Sequence, residues 1–268
     1  MTESKVVLVT GVSSGIGRAT AEKFAIRGCI VFGTVRSVPK TQAIPGVGLI
    51  EMDVRDHTSV QRAVQSIVSK AHRIDVLVNN AGSTMLGSVE ETSVAEAQAL
   101  FDTNVFGALR TSQAVLPHMR QQRSGRIINV SSVLGFLPAP YMGLYSATKH
   151  AIEGLSETLD HEVRNFGIRV VLVEPSYTKT NLDLNAPQAA SRISDYDADR
   201  DLVSKAIVQS VQNAPGPDTV AATIVDAAFS GWTMRRTPKG EASLLRRLRR
   251  FMPAGPVDAS LRKTFGLA

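Results

Sequence analysis

A chain of 268 residues, 43% hydrophobic and 20% charged, has the size and composition of one soluble domain with a substantial buried core. Its single cysteine, Cys29, excludes an intrachain disulfide framework, and its apolar runs, strand-sized and broken by charges, exclude a membrane-spanning helix. The net charge of +6 belongs to the end of the chain, because residues 232–268 hold nine basic and two acidic side chains; the near-neutral body lacks the spread basic face of a nucleic-acid binder.

Strand-sized apolar runs alternate with helix-period segments along most of the chain, which is the pattern of βαβ units around a parallel sheet. Residues 5–10 predict a first strand and 16–27 a helix whose Ala19, Phe24 and Ala25 face the sheet, with Gly28 at its C-terminal cap. The first strand begins so close to Met1 that no signal peptide is expected, and a cytoplasmic, reducing setting with a buried, unreactive Cys29 thiol fits. Strands two and three are expected at 30–35 and 48–52. From Asp56 a helix sets Val60, Val64, Ile67, Val68 and Ala71 at helical spacing. Strand four is expected at 75–78, a long helical region at 94–119 and strand five at 126–130. A helix at 145–165 and strand six at 168–173 follow. The strands read as near-continuous Val/Ile/Leu runs, as they do when helices cover both faces of a sheet. The expected fold is α/β, a Rossmann-type doubly wound parallel sheet of about seven strands.

Residues 176–217 loosen into small and polar residues with Pro187, Pro215, Gly216 and Pro217. A lid of short helices over a pocket is the preferred reading, a plain surface excursion the other. Asp218 then opens a helix to Ala228. Residues 1–240 read as one domain and 241–268 as a basic C-terminal extension. Within that extension EASLLRRLRRFMP, Glu241 to Pro253, sets Leu244, Leu245, Leu248 and Phe251 at helical spacing among arginines. Docking of the leucines on the domain or on a partner subunit, with the arginines in water, is preferred; peripheral contact with an anionic membrane is the alternative.

The stretch VVLVTGVSSGIG, Val6 to Gly17, fits two motifs. Gly11-Val12-Ser13-Ser14-Gly15 spells the nucleophile elbow of serine hydrolases. That fold places its serine deeper in the sheet, after an oxyanion loop of the HGGG type, and no histidine precedes Ser13. The glycine spacing favours a phosphate cradle instead. Gly11 permits the tight turn, Gly15 a close backbone approach, and Gly17 tight packing of helix on strand. Ser13, Ser14 and the first amides from Ile16 onward then face an anion at a helix N-terminus. Strand two ends in Arg36-Ser37, where an NAD-binding fold carries an acid. Arg36 can fork onto a 2′-phosphate with Ser37 adding a hydroxyl, which favours NADP(H) with NAD as the alternative; an arginine that merely faces solvent is the plain reading. Arg18, just after the glycines, faces either that phosphate or solvent.

Tyr145 and Lys149, in LYSATKHAIEGL, stand at i, i+4 on one helix face. An ammonium beside a phenol draws its pKa from about 10 toward the range useful for acid–base work. Ser131 and Ser132 end strand five, at the sheet edge where open α/β folds bind ligands. The five histidines show no metal-ligand spacing, and no metal is expected.

Thr10-Gly11-x-x-x-Gly15-Ile16-Gly17, Asn79-Asn80-Ala81-Gly82, and Ser132 with Tyr145-x-x-x-Lys149 together resemble the compact short-chain dehydrogenase/reductases over about residues 5–181. The resemblance implies that Ser132 bonds the substrate oxygen, that Tyr145 passes the proton, and that Lys149 lowers its pKa and holds the nicotinamide ribose. It implies that Asn104 holds a water linking Lys149 to solvent. By the same resemblance Asp53-Val54 contacts the adenine edge, Asn80 and Ala81 line the adenosine side with Gly82 beside them, and Pro175 and Thr180 meet the nicotinamide. A homodimer or homotetramer is implied, through the helices after strands four and five. The chain departs from the pattern at Pro175-Ser176, where the family has Pro-Gly, and in having no basic residue within the glycine turn. The expected activity is hydride transfer between NADP(H) and a secondary alcohol or ketone. Lid and basic tail suggest an apolar small-molecule substrate, steroid-, retinoid- or acyl-like. A dinucleotide-binding sensor or scaffold without turnover is the alternative.

Overall fold

The first strand, β1 (Val6–Thr10), is fully buried, and alternate residues face opposite layers. In the computed structural model, which describes residues 4–251 and 253–267 but not the side chains of 248–250 and 254, Thr10 runs through the glycine turn into α1 (Gly15–Ile26). Then come β2 (Ile30–Val35), β3 (Val47–Glu51), α2 (His57–Ala71) and β4 (Val76–Asn79). The Asp56 carboxylate caps α2 through the amides of Thr58 and Ser59, and His72 closes it in the left-handed conformation. Helix α3 (Val94–Phe101) opens on a capping box of Ser93 and Glu96. The helical region expected at 94–119 carries a π turn, Asp102–Phe106, between α3 and α4 (Gly107–Gln122). Such turns recur at functional sites, and this one holds buried Asn104.

Next come β5 (Gly125–Val130), α5 (Gly143–Val163) and β6 (Ile168–Val173). Residues 176–217 differ from the expected lid of short helices. After the one-turn α6 (Asn181–Leu184), α7 (Asp197–Asn213) runs 17 residues, with Val203, Ile207 and Val211 buried. It is fastened by a buried ion pair between Arg200 and Glu91. Helix α8 (Asp218–Phe229) leads to a seventh strand, β7 (Arg235–Arg236), then α9 (Glu241–Phe251) and α10 (Ala254–Thr264), the last not foreseen.

All seven strands are parallel in the order β3-β2-β1-β4-β5-β6-β7. On one face Val7 and Val9 pack with Ala21 and Phe24 of α1 and Ile224 of α8. On the other, Val6 and Leu8 pack with Val64 and Ile67 of α2 and Val115 of α4. Full burial of each such side chain contributes about 1.5–3 kcal/mol. Strand order reverses between β1 and β4, and a crevice opens there at the carboxyl ends of the strands. Beneath it lies a buried polar ladder: Asn79 Nδ2 donates to Asn129 Oδ1 (2.8 Å) and Asn129 Nδ2 to Ser156 Oγ (2.8 Å), tying β4, β5 and α5. No described helix is long and apolar enough to cross a membrane.

Candidate active site

A cavity of about 820 Å³ follows the carboxyl edge of the sheet. One end is the turn from β1 to α1. Gly11 (φ 71°) and Gly15 (φ 59°) take left-handed conformations that favour glycine. A Cβ on Gly11 would lie 2.9 Å from Ala81 Cα, and one on Gly17 would fall on the Gly11 carbonyl and the Asn80 amide. Ser13, Ser14, Gly15, Ile16 and Gly17 all line the cavity, and Ser14 gives the first turn of α1 no side-chain cap. Glycines where a Cβ would intrude and uncapped amides at a helix N-terminus suit a pyrophosphate. Gly17→Ala is expected to lower stability by about 1–3 kcal/mol and to weaken NADPH binding, because backbone must move; thermal denaturation with and without NADPH measures both.

Asn80, Ala81 and Gly82 line the cavity beside this turn. The Asn80 amide faces protein, donating to the carbonyls of Thr10 (2.9 Å) and Gly11 (3.1 Å). Thr10 Oγ1 accepts from the amides of Asn80 and Ala81. Asn80 therefore holds the glycine turn in place, a structural task the family resemblance did not specify.

Arg36, exposed at the end of β2, and Asp53-Val54, just past β3, reach the same end of the cavity. Ser37 does not line the cavity, and its carbonyl accepts from Thr41 Oγ1 at 2.8 Å. Arg18 bonds Glu22 at 3.0 Å and reaches the carbonyls of Gln42 and Ala43. Arg55, unmarked by any motif, also lines the cavity and pairs with Asp53 at 2.6 Å, holding that carboxyl below its ordinary value.

Ser132, Tyr145 and Lys149 meet midway along the cavity, with Pro175, Ser176 and Thr180 on the adjoining loop. Ser132 follows β5 and is held by the backbone bond from Val133 to the Pro175 carbonyl (2.9 Å). Tyr145 and Lys149 lie in the first two turns of α5, both buried. Burial pushes the Tyr145 phenol up, the Asp183 carboxylate adds to the rise, and a hydrogen bond with Ser132 opposes it. The expected acidification by Lys149 is thus not what the chain alone gives. Its Nζ lies 5.5 Å from the ring centroid and donates to the Val130 carbonyl at 2.9 Å, while desolvation of a phenolate dominates. Lys149 itself is lowered by burial to about 8, against the pull of Glu153 and Asp183.

The Asn104 side chain is engaged by protein. Both amide protons go to protein, to Ser83 O (2.8 Å) and Thr148 Oγ1 (3.1 Å), and Oδ1 accepts from the Ser83 amide (2.8 Å). It fixes the loop after β4 against α5, one residue before Lys149.

The far wall comes from residues no motif marked. Leu134, Leu137 and Met142 precede α5, and Tyr177 and Asp183 follow β6. The chain end supplies Glu241, Leu245, Leu261 and Phe265. Helix α9 docks only in part. Ala242 is buried, but Leu244 and Phe251 are exposed at 57% and 81% on this single chain, so its own domain does not cover them; the Leu248 side chain lies outside the described residues. Nor are all its arginines in water: Arg246 approaches buried Glu174 at 3.7 Å and bonds the Arg235 carbonyl at 3.1 Å. Glu174, pushed up by burial and by Glu153, also meets Arg235 at 3.2 Å. This cluster, one helical turn beyond Lys149, fastens α9 to the end of β6.

A glycine turn at a sheet switch point, with a serine, a buried tyrosine and a lysine at its far side, is an arrangement found in known proteins. Residues 5–190 match the model of the short chain dehydrogenase family. A 3-ketodihydrosphingosine reductase of Bacteroides thetaiotaomicron is 39% identical over 225 residues, 83% of this chain and 82% of that protein. Among solved structures, a Burkholderia phymatum short chain dehydrogenase/reductase in complex with NAD superposes with a TM-score of 0.79 at 27% identity, covering 92% of both chains. A Burkholderia cenocepacia short chain dehydrogenase in complex with NADP gives 0.78 at 25%, covering 97% of this chain and 98% of that one. With the sheet order, the glycine turn and a family match over most of its length, this chain belongs to the short-chain dehydrogenase/reductases and is an oxidoreductase of that family.

Proposed function

We propose that the chain is an NADP(H)-dependent reductase of ketones that carry an apolar chain, acting through Ser132, Tyr145 and Lys149. The observation that carries this reading is a buried phenol, Tyr145, in one cavity with a phosphate cradle and with apolar Leu137, Met142, Leu245, Leu261 and Phe265. Gly11 to Gly17 would hold the pyrophosphate, Asp53, Val54, Ala81 and Gly82 the adenosine, Arg36 the 2′-phosphate, and Pro175, Thr180 and Lys149 the nicotinamide riboside. The bound nicotinamide supplies hydride chemistry at the substrate's carbonyl carbon. Ser132 orients the carbonyl oxygen and Tyr145 hands it a proton as charge develops there. Similarity to a reductase of 3-ketodihydrosphingosine, a ketone on a long alkyl chain, supports the same substrate class here. Asn104, Asn80 and Glu174 position these groups without touching substrate.

Residues 176–217 and 241–267 are proposed to close the substrate side of the single domain. A homodimer or homotetramer through α3, α4 and α5 and a cytoplasmic setting belong to the same reading; Val94 and Phe106 stand exposed on that face. The deciding experiment follows absorbance at 340 nm (roughly the reduced-nicotinamide maximum) with NADPH and NADH over alkyl, steroid and acyl ketones. Oxidation of NADPH by alkyl ketones is expected, and no turnover of any ketone with either cofactor would reject the reading.

Lys149 adds a pH dependence. Its ammonium, lowered to about 8, is present below that pH and lost above it. NADPH binding, read by fluorescence titration, should therefore weaken as pH rises through about 8, and Lys149→Met should flatten the profile.

A further inference from the structure

Helix α9 is held to the domain along one side only. Ala242 is buried, Leu245 lines the cavity, and Arg246 reaches buried Glu174 at 3.7 Å and the Arg235 carbonyl at 3.1 Å. Leu244, Arg247 and Phe251 stand at i, i+3 and i+7, on successive turns of another face. All three are exposed. Leu248, at i+4 from Leu244, holds a register position on the same stripe. Single exposed leucines are ordinary, but large apolar side chains aligned along one helix face mark an interaction surface.

Charge decides what covers the stripe. Residues 232–268 hold nine basic and two acidic side chains. Three of the arginines are engaged by acids of the domain: Arg235 by Glu153 and Glu157, Arg236 by Asp226, and Arg246 by Glu174. Lys239, Arg247, Arg262 and Lys263 are exposed and make no ion pair among the described residues. Arg249 and Arg250 add two more charges to the sequence of α9. A second copy seated on this stripe in a twofold dimer would set the basic segment against itself, where like charges repel. An apolar stripe edged by unpaired cations instead matches the headgroup layer of an anionic bilayer.

We propose that α9 docks the protein on anionic membrane surfaces, with Leu244 and Phe251 entering the boundary between headgroups and acyl chains and the basic side chains meeting lipid phosphates. Glu241 and Leu245 line the cavity from the same helix, and exposed Leu182 lines it too, so docking brings this side of the cavity next to the bilayer. Docking goes beyond the reductase reading and is measured without turnover. Each basic side chain near an anionic surface is worth roughly fivefold in partitioning. Burial of the two apolar side chains adds roughly tenfold or more.

The test is sedimentation of the full chain with vesicles of phosphatidylcholine alone and of phosphatidylcholine mixed with phosphatidylglycerol. The wild type should pellet with the mixed vesicles and stay in solution with the neutral ones. Binding should weaken as salt rises from about 0.1 to 1 M, over which the Debye length falls from about 10 to 3 Å. Leu244→Ser with Phe251→Ser should lower the partition coefficient by about tenfold or more, with an unchanged thermal midpoint because both side chains are exposed. Arg247→Glu should lower it by about tenfold. No binding by the wild type, equal binding to both kinds of vesicle, or full binding by either variant overturns the proposal. Sedimentation velocity without vesicles tests the other occupant. A larger species in the wild type that Leu244→Ser with Phe251→Ser splits would assign the stripe to a second copy of the chain and overturn membrane docking.

Discussion

Tyr145→Phe is expected to lower kcat for ketone reduction by about 10²- to 10⁴-fold, the range that a positioned proton donor contributes. The change removes one hydroxyl from a ring that stays buried against Met85, Ala139 and Met142. Packing is preserved, and the hydrogen bond lost is the one with Ser132. The Kd for NADPH should stay within about threefold, since a lost neutral hydrogen bond is worth only about 0.5–1.5 kcal/mol. Steady-state kinetics with fluorescence titration of NADPH separate the two quantities. A Phe variant with wild-type turnover would take Tyr145 out of proton transfer; loss of turnover together with cofactor binding would assign it to the cradle.

Arg36→Asp is expected to shift the ratio of kcat/KM for NADPH over NADH by about a hundredfold toward NADH. A guanidinium fork on a phosphate is worth more than an ordinary surface pair. Arg36 is exposed, so solvent and salt screen its charge and hold the effect well below what a buried pair would give. The nearby Arg55 is not a ready substitute, because its guanidinium is engaged by Asp53. The new carboxylate would repel a 2′-phosphate and accept from a 2′-hydroxyl, so the two cofactors should move in opposite directions. Equal change for both would show that Arg36 does not read the phosphate. The shift should also shrink as salt rises from about 0.05 to 0.5 M, over which the Debye length falls severalfold.

Local pattern located most of the sheet. Residues 30–35 and 168–173 are strands with the expected bounds, because a run of six residues with four or five apolar side chains, set between a glycine-bearing turn and a loop, leaves few other solutions. The helical region expected at 94–119 runs unbroken over 94–122, but the π turn within it carried no sequence mark, because inserting one residue leaves the apolar period nearly intact. Helix α7 was legible in retrospect: Val203, Ile207 and Val211 repeat every fourth residue, but the polar residues between them masked the stripe. Strand β7 has two residues, both arginine, and offers no hydrophobic signal.

The same division runs through the site. Gly11, Gly15, Gly17, Ser132, Tyr145 and Lys149 stood out because a turn, a strand end and one helix face fix their positions locally. Asp183, Tyr177, Arg55 and the lining residues of α9 and α10 carried no such mark. Arg246 finds Glu174 72 positions before it, and Phe265 joins a cluster with Tyr145. By itself the sequence determined the sheet, the cradle and the catalytic trio, whose geometry depends on neighbours a few residues away. Only the tertiary structure decided which side of α9 stays exposed, which arginine faces the cavity and what walls the substrate side, because burial and pairing arise from segments brought together by the closed fold.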